Sequence, residues 1–375
     1  MGGGRLLLLV RGAPKASVSP LGQKIARLIE VQGPIPVSQF MMLALHDPEH
    51  GVYASRNAIG RAGDFITAPE ISQMFGELLG LWLLEVWRQQ GGAKRIRLVE
   101  LGPGRGTLMR DVLKAARLDA GFLAALDVVL IEASPVLQAL QAQTLKDSPT
   151  AIRWSARTAE AFDDAPLFLL ANEFFDALPI RQYVKTEQGW HERMVTANGG
   201  ELDFALAPLA VPGLAVPESR GDAEPGAVFE TSPASTALVE EIAGHIAQRG
   251  GGALIVDYGY TGAGFGETLQ AIAKHKAAQL LDAPGTADLS AHVDFDELMR
   301  AATRGGANVF GPVAQGAFLE SLGIGHRAEQ LAKKNPSQAE AIKSAFQRLT
   351  APGQMGNLFK ALAIMPAIAP PPPGF

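Results

Sequence analysis

An acidic residue stands directly before three closely spaced glycines, as Glu100, Gly102, Gly104 and Gly106. Glycine has no Cβ, so it can adopt a positive φ and lets a ligand approach the backbone closely. The dinucleotide fingerprint spaces its glycines as G-x-G-x-x-G, which places a pyrophosphate on a helix N-terminus. Here the spacing is G-x-G-x-G, and the carboxylate opposes a phosphate. The pattern therefore favours a cationic ligand, such as the ammonium and sulfonium groups of S-adenosylmethionine.

A second group of candidate residues is Asn172-Glu173-Phe174-Phe175, which follows an apolar run. Carbonyl and carboxylate oxygens can hold a substrate N–H, and an aromatic face accepts a cationic methyl or guanidinium group. The alternative is a strand-end cap with two phenylalanines of the core. Its place beside the glycine turn favours a substrate site for methyl transfer to nitrogen.

Both groups need a scaffold that brings strand ends together. The apolar runs at 96–101, 128–131, 167–170 and 253–256 predict buried strands, and helical patterns lie between them. This alternation predicts an α/β fold with a doubly wound, mostly parallel sheet. Ligands of such sheets bind at the carboxyl ends of the strands. Glu132 follows one of these strands, where its carboxylate can accept both hydroxyls of a ribose.

The regions outside the sheet divide the rest of the chain. Thr67 and Glu70 have the spacing of a capping box, which predicts one helix running to about Gln90. We expect the following organisation: a disordered or extended segment at 1–18, an N-terminal helical cap at 19–93, a main domain at 94–366 with inserted hairpins at about 181–226 and helices at 313–350, and a frayed Pro-rich tail at 367–375.

Composition excludes several classes of protein. The 375 residues carry a formal net charge of -5, so no basic field favours nucleic acid. The absence of cysteine excludes disulfides and thiolate zinc sites. His46, Asp47, Glu49 and His50 are interpreted as a solvated loop, and no metal is expected. The apolar run Leu6–Val10 is too short for a transmembrane helix, so no membrane insertion is expected.

Several segments together resemble the MidA family of S-adenosylmethionine-dependent methyltransferases: 63–77, 100–108, 171–179, 257–259 and 288–295. They occur in order and the resemblance spans about residues 20–365. It implies a Rossmann-like class I methyltransferase fold with S-adenosyl-L-methionine as cofactor. The mitochondrial member of the family resembles an assembly factor for respiratory complex I that methylates an arginine of a complex I subunit.

The resemblance also implies roles for individual residues. Gly102, Gly104 and Gly106, with Pro103 among them, would line the methionine and ribose of the cofactor. Glu100 would face its amino group, Glu132 would hold the ribose, and Trp154 and the residues just after it would lie near the adenine. Thr67, Pro69 and Glu70 would cap the site.

For catalysis, the hypothesis is that Glu173 and Asn172 orient a guanidinium group, with Asp64 or Glu70 closing from the cap. The expected partner is a protein, a complex I subunit, and a homodimer stays open. A non-catalytic assembly protein with the same fold is the alternative. A nicotinamide-dependent oxidoreductase is disfavoured by the glycine spacing. We expect a bacterial cytoplasm, with the mitochondrial matrix as the alternative.

Overall fold

The computed structural model describes residues 19–55, 67–212, 216, 222–262, 264–273 and 275–375. The helices are α1 Pro20–Gln32, α2 Val37–His46, α3 Val52–Ser55, α4 Ala68–Ile71, α5 Gln73–Gln89, α6 Thr107–Ala116, α7 Ala120–Ala125, α8 Pro135–Thr144, α9 Pro233–Arg249, α10 Phe295–Arg304, α11 Gln315–Ser321, α12 Ile324–Lys334 and α13 Ala339–Thr350.

The strands are β1 Ile35–Pro36, β2 Ile96–Leu101, β3 Leu126–Ile131, β4 Ile152–Ser155, β5 Leu167–Asn172, β6 Arg181–Thr186, β7 Gly189–Asn198, β8 Glu201–Leu206, β9 Val228–Thr231, β10 Gly251–Tyr260, β11 Gln270–Ala273, β12 Lys276–Ala278, β13 Asp288–Ser290, β14 Val293–Asp294, β15 Asn308–Ala314 and β16 Phe359–Met365. These elements form two compact units. The hairpin unit comprises the described residues among 1–56, 179–232 and 263–291, and the sheet unit comprises those among 57–178, 233–262 and 292–375.

The sheet unit contains a sheet with the strand order β15-β16-β10-β5-β2-β3-β4, and β14 pairs with β10. The strands from β10 to β4 run parallel, whereas β15 and β16 pair antiparallel at one end. Strand order reverses at β2, because the chain adds β3 and β4 on one side and then β5 and β10 on the other. The predicted Rossmann-like, mostly parallel α/β fold is confirmed.

Side chains on successive residues of each central strand enter opposite hydrophobic cores. Leu98 packs into one core with α5 and α6, while its neighbour Val99 packs into the other with α9 and α10. Strands buried on both faces read as near-continuous apolar runs, as the sequence has at 128–131, 167–170 and 253–256. In β2 the run includes two charged residues that are also buried, Arg97 and Glu100. The two cores fix the strands that carry the candidate residues at their carboxyl ends.

The hairpin unit contains an antiparallel sheet of order β1-β7-β6-β9 in which β8 also pairs with β7. The hairpins expected after residue 181 are therefore present. β1 joins them, since Ile35 pairs with Val195 and Pro36 with Met194. A three-stranded sheet of order β12-β11-β13 was not predicted.

The compact units divide the chain differently from the predicted 19–93 cap. Residues 19–55 belong with the hairpins, whereas 67–93 belong to the sheet unit. α5 is responsible, because Phe75, Leu79 and Trp82 are buried in the same core as the parallel strands. A helix buried to this extent is part of the domain rather than a cover on it.

The predicted capping box is wrong. Thr67 precedes α4 but its side chain makes no capping hydrogen bond, and α4 ends after one turn. Ser72 is extended (φ -160°, ψ 140°) and its hydroxyl accepts from the Met74 N–H, so Ser72 caps α5. The Glu70 carboxylate accepts instead from the Thr107 hydroxyl, a partner far along the chain.

The proline-rich end is not frayed. Trp82 Nε1 donates to the Pro373 carbonyl at 3.0 Å. The ring of Phe375 lies 5.2 Å from that of Phe318 on α11. The tail is thus held by α5 and α11 of the sheet unit.

The loop after α2 is less solvated than expected. Asp47 is buried, and its carboxylate accepts from Lys24 Nζ at 2.5 Å and from the backbone N–H groups of Glu49 and His50. Within the described ranges, no group of three or more acidic or histidine side chains is placed to hold a metal. Nor does any helix there combine the length and apolar character that crossing a membrane requires.

Candidate cofactor and substrate site

A cleft opens at the carboxyl ends of β2 and β5, where the strand order reverses. Most of the predicted site residues line it: Thr67, Pro69, Glu70, Glu100, Gly102, Pro103, Gly104, Asn172 and Glu173. Sequence reasoning missed three further lining residues, Arg105, Thr107 and Leu108. Their position inside and just after the glycine turn was the available signal.

The glycine turn requires glycine for two separate reasons. Gly102, Gly104 and Gly106 have φ values of 57°, 52° and 78°, in the left-handed region that other residues rarely adopt. A Cβ on Gly102 would also lie 2.8 Å from Cδ2 of Phe174. The turn between β2 and α6 therefore has no side chains at these three positions, and a ligand in the cleft can contact its backbone.

Glu100 is a buried carboxyl group at the end of β2. It is 3% exposed, and its Oε2 atom has no hydrogen-bond partner among the described residues. Burial raises its pKa to about 8, against a smaller lowering by the backbone N–H of Met109. A buried acceptor without a partner is costly. The amino group of S-adenosylmethionine, a cation, fits this position because it would supply the missing donor.

Asn172 and Glu173 present oxygens to the same cleft. Glu173 has a φ of 50°, which is uncommon for a side-chain-bearing residue and is often found at functional sites. Its Oε1 accepts from the Ala68 N–H at 3.0 Å and from Asn172 Nδ2 at 3.1 Å. Asn172 Oδ1 is buried and has no partner among the described residues. Burial, and secondarily the charge of Asp176, raises the pKa of Glu173 to about 7.

Asp257 holds the turn that carries Glu173. This fully buried residue follows the apolar part of β10, and its Oδ2 accepts from the backbone N–H groups of Phe174, Phe175 and Asp176 at 3.1, 3.0 and 3.3 Å. Burial is also the main reason that the pKa of Asp176 rises to about 6 and that of Asp257 well above its usual value. The carboxyl groups of Glu173, Asp176 and Asp257 thus lie close together at the ends of β5 and β10.

The segment at Thr67–Glu70 is tied to the glycine turn. The Thr107 hydroxyl donates to Glu70 Oε1, and Arg105 Nε lies 3.9 Å from Glu70 Oε2. Glu70 is therefore engaged with the first turn of α6. The other predicted cap carboxylate, Asp64, lies outside the described residues.

Glu132, Trp154 and Gly106 do not line the cleft itself. Glu132 follows β3, and its Oε1 accepts from the Ser134 N–H at 2.8 Å. Burial raises the pKa of Glu132, opposed by its hydrogen bonds to Ser134 and Gln141. Trp154 lies in β4 beside it, and Gln141 of α8, a residue not predicted from the sequence, joins the two side chains.

The chain is similar to proteins of one known family. A family model of S-adenosyl-L-methionine-dependent methyltransferases matches residues 78–313. Human mitochondrial protein arginine methyltransferase NDUFAF7 is 36% identical over 378 residues, covering 93% of this chain and 84% of its own. The Drosophila melanogaster homologue is 38% identical over 382 residues, covering 93% and 85%.

A solved structure is similar over most of the chain. It is a COG1565 superfamily member from Burkholderia thailandensis bound to S-adenosyl-homocysteine, with a TM-score of 0.83 and 27% identity. The match covers 94% of this chain and 93% of that one. With the glycine turn and the buried acid that fit the cofactor, these similarities confirm S-adenosylmethionine as the cofactor. The chain belongs to the MidA-like family of S-adenosylmethionine-dependent methyltransferases.

Proposed function

We propose that this methyltransferase methylates arginine side chains of a protein, and specifically of a respiratory complex I subunit. The observation that carries the proposal is the pair of oxygens from Glu173 and Asn172 at the cleft that also contains Glu100. The names of the relatives, which are protein arginine methyltransferases, support the same substrate class. The complex I subunit follows from the family resemblance.

The cofactor, when bound, supplies an electrophilic methyl group on its sulfonium. In the proposed arrangement the glycine turn and Glu100 hold its methionine part, and Glu132 holds its ribose. Positioning of this kind can be worth about 7–11 kcal/mol of the barrier. The residues of the chain therefore need only fix the two reactants in line.

Glu173 would orient the guanidinium group. Its Oε1 already accepts two hydrogen bonds, so Oε2 is the oxygen that would accept from a substrate N–H. Charge-assisted hydrogen bonds between a carboxylate and a guanidinium group are strong and directional. Asn172 Oδ1 would accept a second N–H. Because the pKa of Glu173 is about 7, this carboxylate can also take the proton that the methylated nitrogen gives up.

The test is Glu173→Gln, with Glu241→Gln on the exposed side of α9 as the matched control. Each protein is incubated with tritiated S-adenosylmethionine and with complex I from a strain that lacks this methyltransferase. Methylarginine is then measured by mass spectrometry. We expect Glu173→Gln to lower the rate by about 10²–10³-fold, as for loss of a group that acts on the transition state. Binding of S-adenosylhomocysteine should stay close to that of the control.

A wild-type rate in Glu173→Gln would show that this carboxylate does not act on the substrate. A second informative result is that the complex I subunit in a deletion strain keeps its methylarginine while complex I fails to assemble. That result would show that the protein acts by binding, which is the alternative function. A homodimer remains a proposal. So does the bacterial cytoplasm as compartment, and the mitochondrial relatives fit the alternative of the matrix.

A further inference from the structure

Gln141 is a fully buried polar side chain that touches three parts of the proposed cofactor site. Its Nε2 donates to the Gly104 carbonyl at 2.9 Å and to Glu132 Oε2 at 3.1 Å. Its Oε1 accepts from Trp154 Nε1 at 2.8 Å. One amide group therefore joins the glycine turn, the carboxylate after β3 and the indole of β4.

The partners allow one orientation of this amide. Trp154 Nε1 can only donate, so it requires the amide oxygen. The Gly104 carbonyl can only accept, so it requires the amide NH₂, which also donates to Glu132 Oε2. Rotating the amide by half a turn would place its oxygen against the Gly104 carbonyl oxygen and its NH₂ against the N–H of Trp154. The amide is thus locked, and both of its N–H groups are used.

Helix α8 is packed closely enough to hold Gln141 in place. A Cβ built on Gly106 would lie 3.4 Å from the Cα of Gln141 and 3.3 Å from Leu145 Cδ1. The helix thus lies directly against the glycine turn. A displacement of Gln141 would therefore break its hydrogen bonds to both the glycine turn and Glu132.

We propose that Gln141 is a positioning residue for cofactor binding. It holds the Glu132 carboxylate and the Gly104 backbone at the relative position in which both contact the same ligand. The inference rests on the proposed roles of Glu132 and of the glycine turn. Ser134 donates to one oxygen of Glu132 and Gln141 to the other, so the two hydrogen bonds together fix the orientation of the carboxylate. Without Gln141 the carboxylate can rotate, and the two hydroxyl contacts are no longer fixed together.

The test uses Gln141→Met, which keeps the length of the side chain but removes both polar ends. Calorimetric titration with S-adenosylhomocysteine should show an affinity about 10- to 100-fold weaker than wild type, the range for losing hydrogen bonds to a charged group. Gln138→Met is the matched control. Gln138 lies one turn earlier on α8 and donates to Glu132, but only to its backbone carbonyl at 2.7 Å. Its affinity should stay near wild type.

A second ligand separates positioning from a general loss of structure. The 2′,3′-dideoxy analogue of S-adenosylhomocysteine lacks the hydroxyls that Glu132 would hold. Gln141→Met should therefore weaken the analogue less than it weakens the parent compound. Wild-type affinity in Gln141→Met, or equal losses for the two ligands, would overturn the proposal.

Two further variants keep the outcome clear. If Gln141→Met does not fold, Trp154→Phe removes the N–H that fixes the amide oxygen, together with part of the indole ring. Both ligands contain the adenine that Trp154 would contact, so the test is whether this variant also weakens the parent compound more than the dideoxy analogue. Glu132→Ala tests the premise. If it leaves the affinity unchanged, the ribose assignment fails and the Gln141 proposal fails with it. If it weakens binding while Gln141→Met does not, only the Gln141 proposal fails.

Discussion

Glu100 combines a cost to folding with a proposed use in binding. In the unfolded chain a glutamate ionises near pH 4.5, whereas in the folded protein Glu100 holds its proton up to about pH 8. Between these values the folded state binds more protons than the unfolded state. Linkage then requires this residue to lower stability progressively as pH rises through that window.

We therefore expect Glu100→Gln to be more stable than wild type at pH 8 and similar to it near pH 4.5. The amide keeps the shape of the protonated carboxyl group but cannot ionise. Thermal melting of the ligand-free proteins from pH 4.5 to 8.5 measures this. The carboxyls of Glu173, Asp176 and Asp257 are present in both proteins, so the difference between the curves isolates Glu100. Parallel curves would contradict the high pKa.

The same substitution should weaken S-adenosylhomocysteine binding, because a neutral amide replaces the anion proposed to face the amino group. A variant that gains stability and loses affinity would mark Glu100 as a residue kept for binding. This second measurement uses the same two proteins and needs no substrate.

Single residues could be predicted where the signal is local. Glu100 and the three glycines lie within seven consecutive positions, and Asn172-Glu173 follows an apolar run directly. Gln141 could not be predicted, because its partners lie on three other segments that only the fold brings together. Glu70 was placed in the wrong interaction for the same reason, since its partner Thr107 lies outside its own helix.

At the scale of elements, α5 and α6 are in close contact through glycine. A Cβ on Gly80 would lie 2.8 Å from Ala115 Cβ and 2.9 Å from the Val112 carbonyl oxygen. Both distances are too short for a real contact, and one of the atoms belongs to the backbone. The two helices would have to separate to admit even one methyl group.

Gly80→Ala and Gly244→Ala should therefore have opposite effects. Gly80→Ala should lower the free energy of unfolding by about 1–3 kcal/mol through overpacking. Gly244, within α9, has only the Gly305 carbonyl oxygen within reach, at 3.8 Å. Gly244→Ala should therefore raise the free energy of unfolding by about 0.5–1 kcal/mol, because alanine is a better helix former than glycine. Urea titration of both variants measures this, and a stabilised Gly80→Ala would refute the close contact.

Elements with strong periodicity could be predicted, and weak ones could not. The buried parallel strands read as apolar runs, and the helices of the 313–350 insertion appear near their expected positions. The sheet of β11, β12 and β13 was missed because its strands are short and two of the three residues of β12 are exposed. α4 and α5 were joined in the prediction, because the spacing of Thr67 and Glu70 was interpreted as the helix start. Ser72, whose residue type is favoured at N-caps, is where α5 begins.

At the scale of the whole molecule, the two units are discontinuous in sequence. The prediction placed domain boundaries between consecutive stretches, since patterns along a chain carry no information on which distant segments pair. The pairing of β1 with β7, which groups 19–55 with the hairpins, is such a long-range contact. The β1–β7 pairing spans two residues, too few to predict from a pattern, and α1 and α2 also pack against the hairpin strands.

The end of the chain supports the sheet unit over a long sequence separation. We expect Phe375→Ala to lower the free energy of unfolding by about 1–2 kcal/mol, less than for a fully buried phenylalanine because Phe375 is half-buried. Ile368→Ala is the control, since that side chain is 97% exposed in the same segment. Urea unfolding followed by tryptophan fluorescence measures both. Equal stability of the two variants would indicate that the tail contributes little.

The buried carboxyl group of Glu100 also changes what a binding experiment on this protein measures. The formal net charge of -5 counts every acid as ionised. Because the pKa of Glu100 is about 8, this carboxyl group is protonated in most molecules at pH 7. A cation placed beside it favours the ionised form, so cofactor binding expels a proton into the solvent. The buffer takes up that proton and adds its own heat of protonation. An enthalpy of cofactor binding measured in a single buffer therefore includes a contribution that belongs to the buffer rather than to the protein.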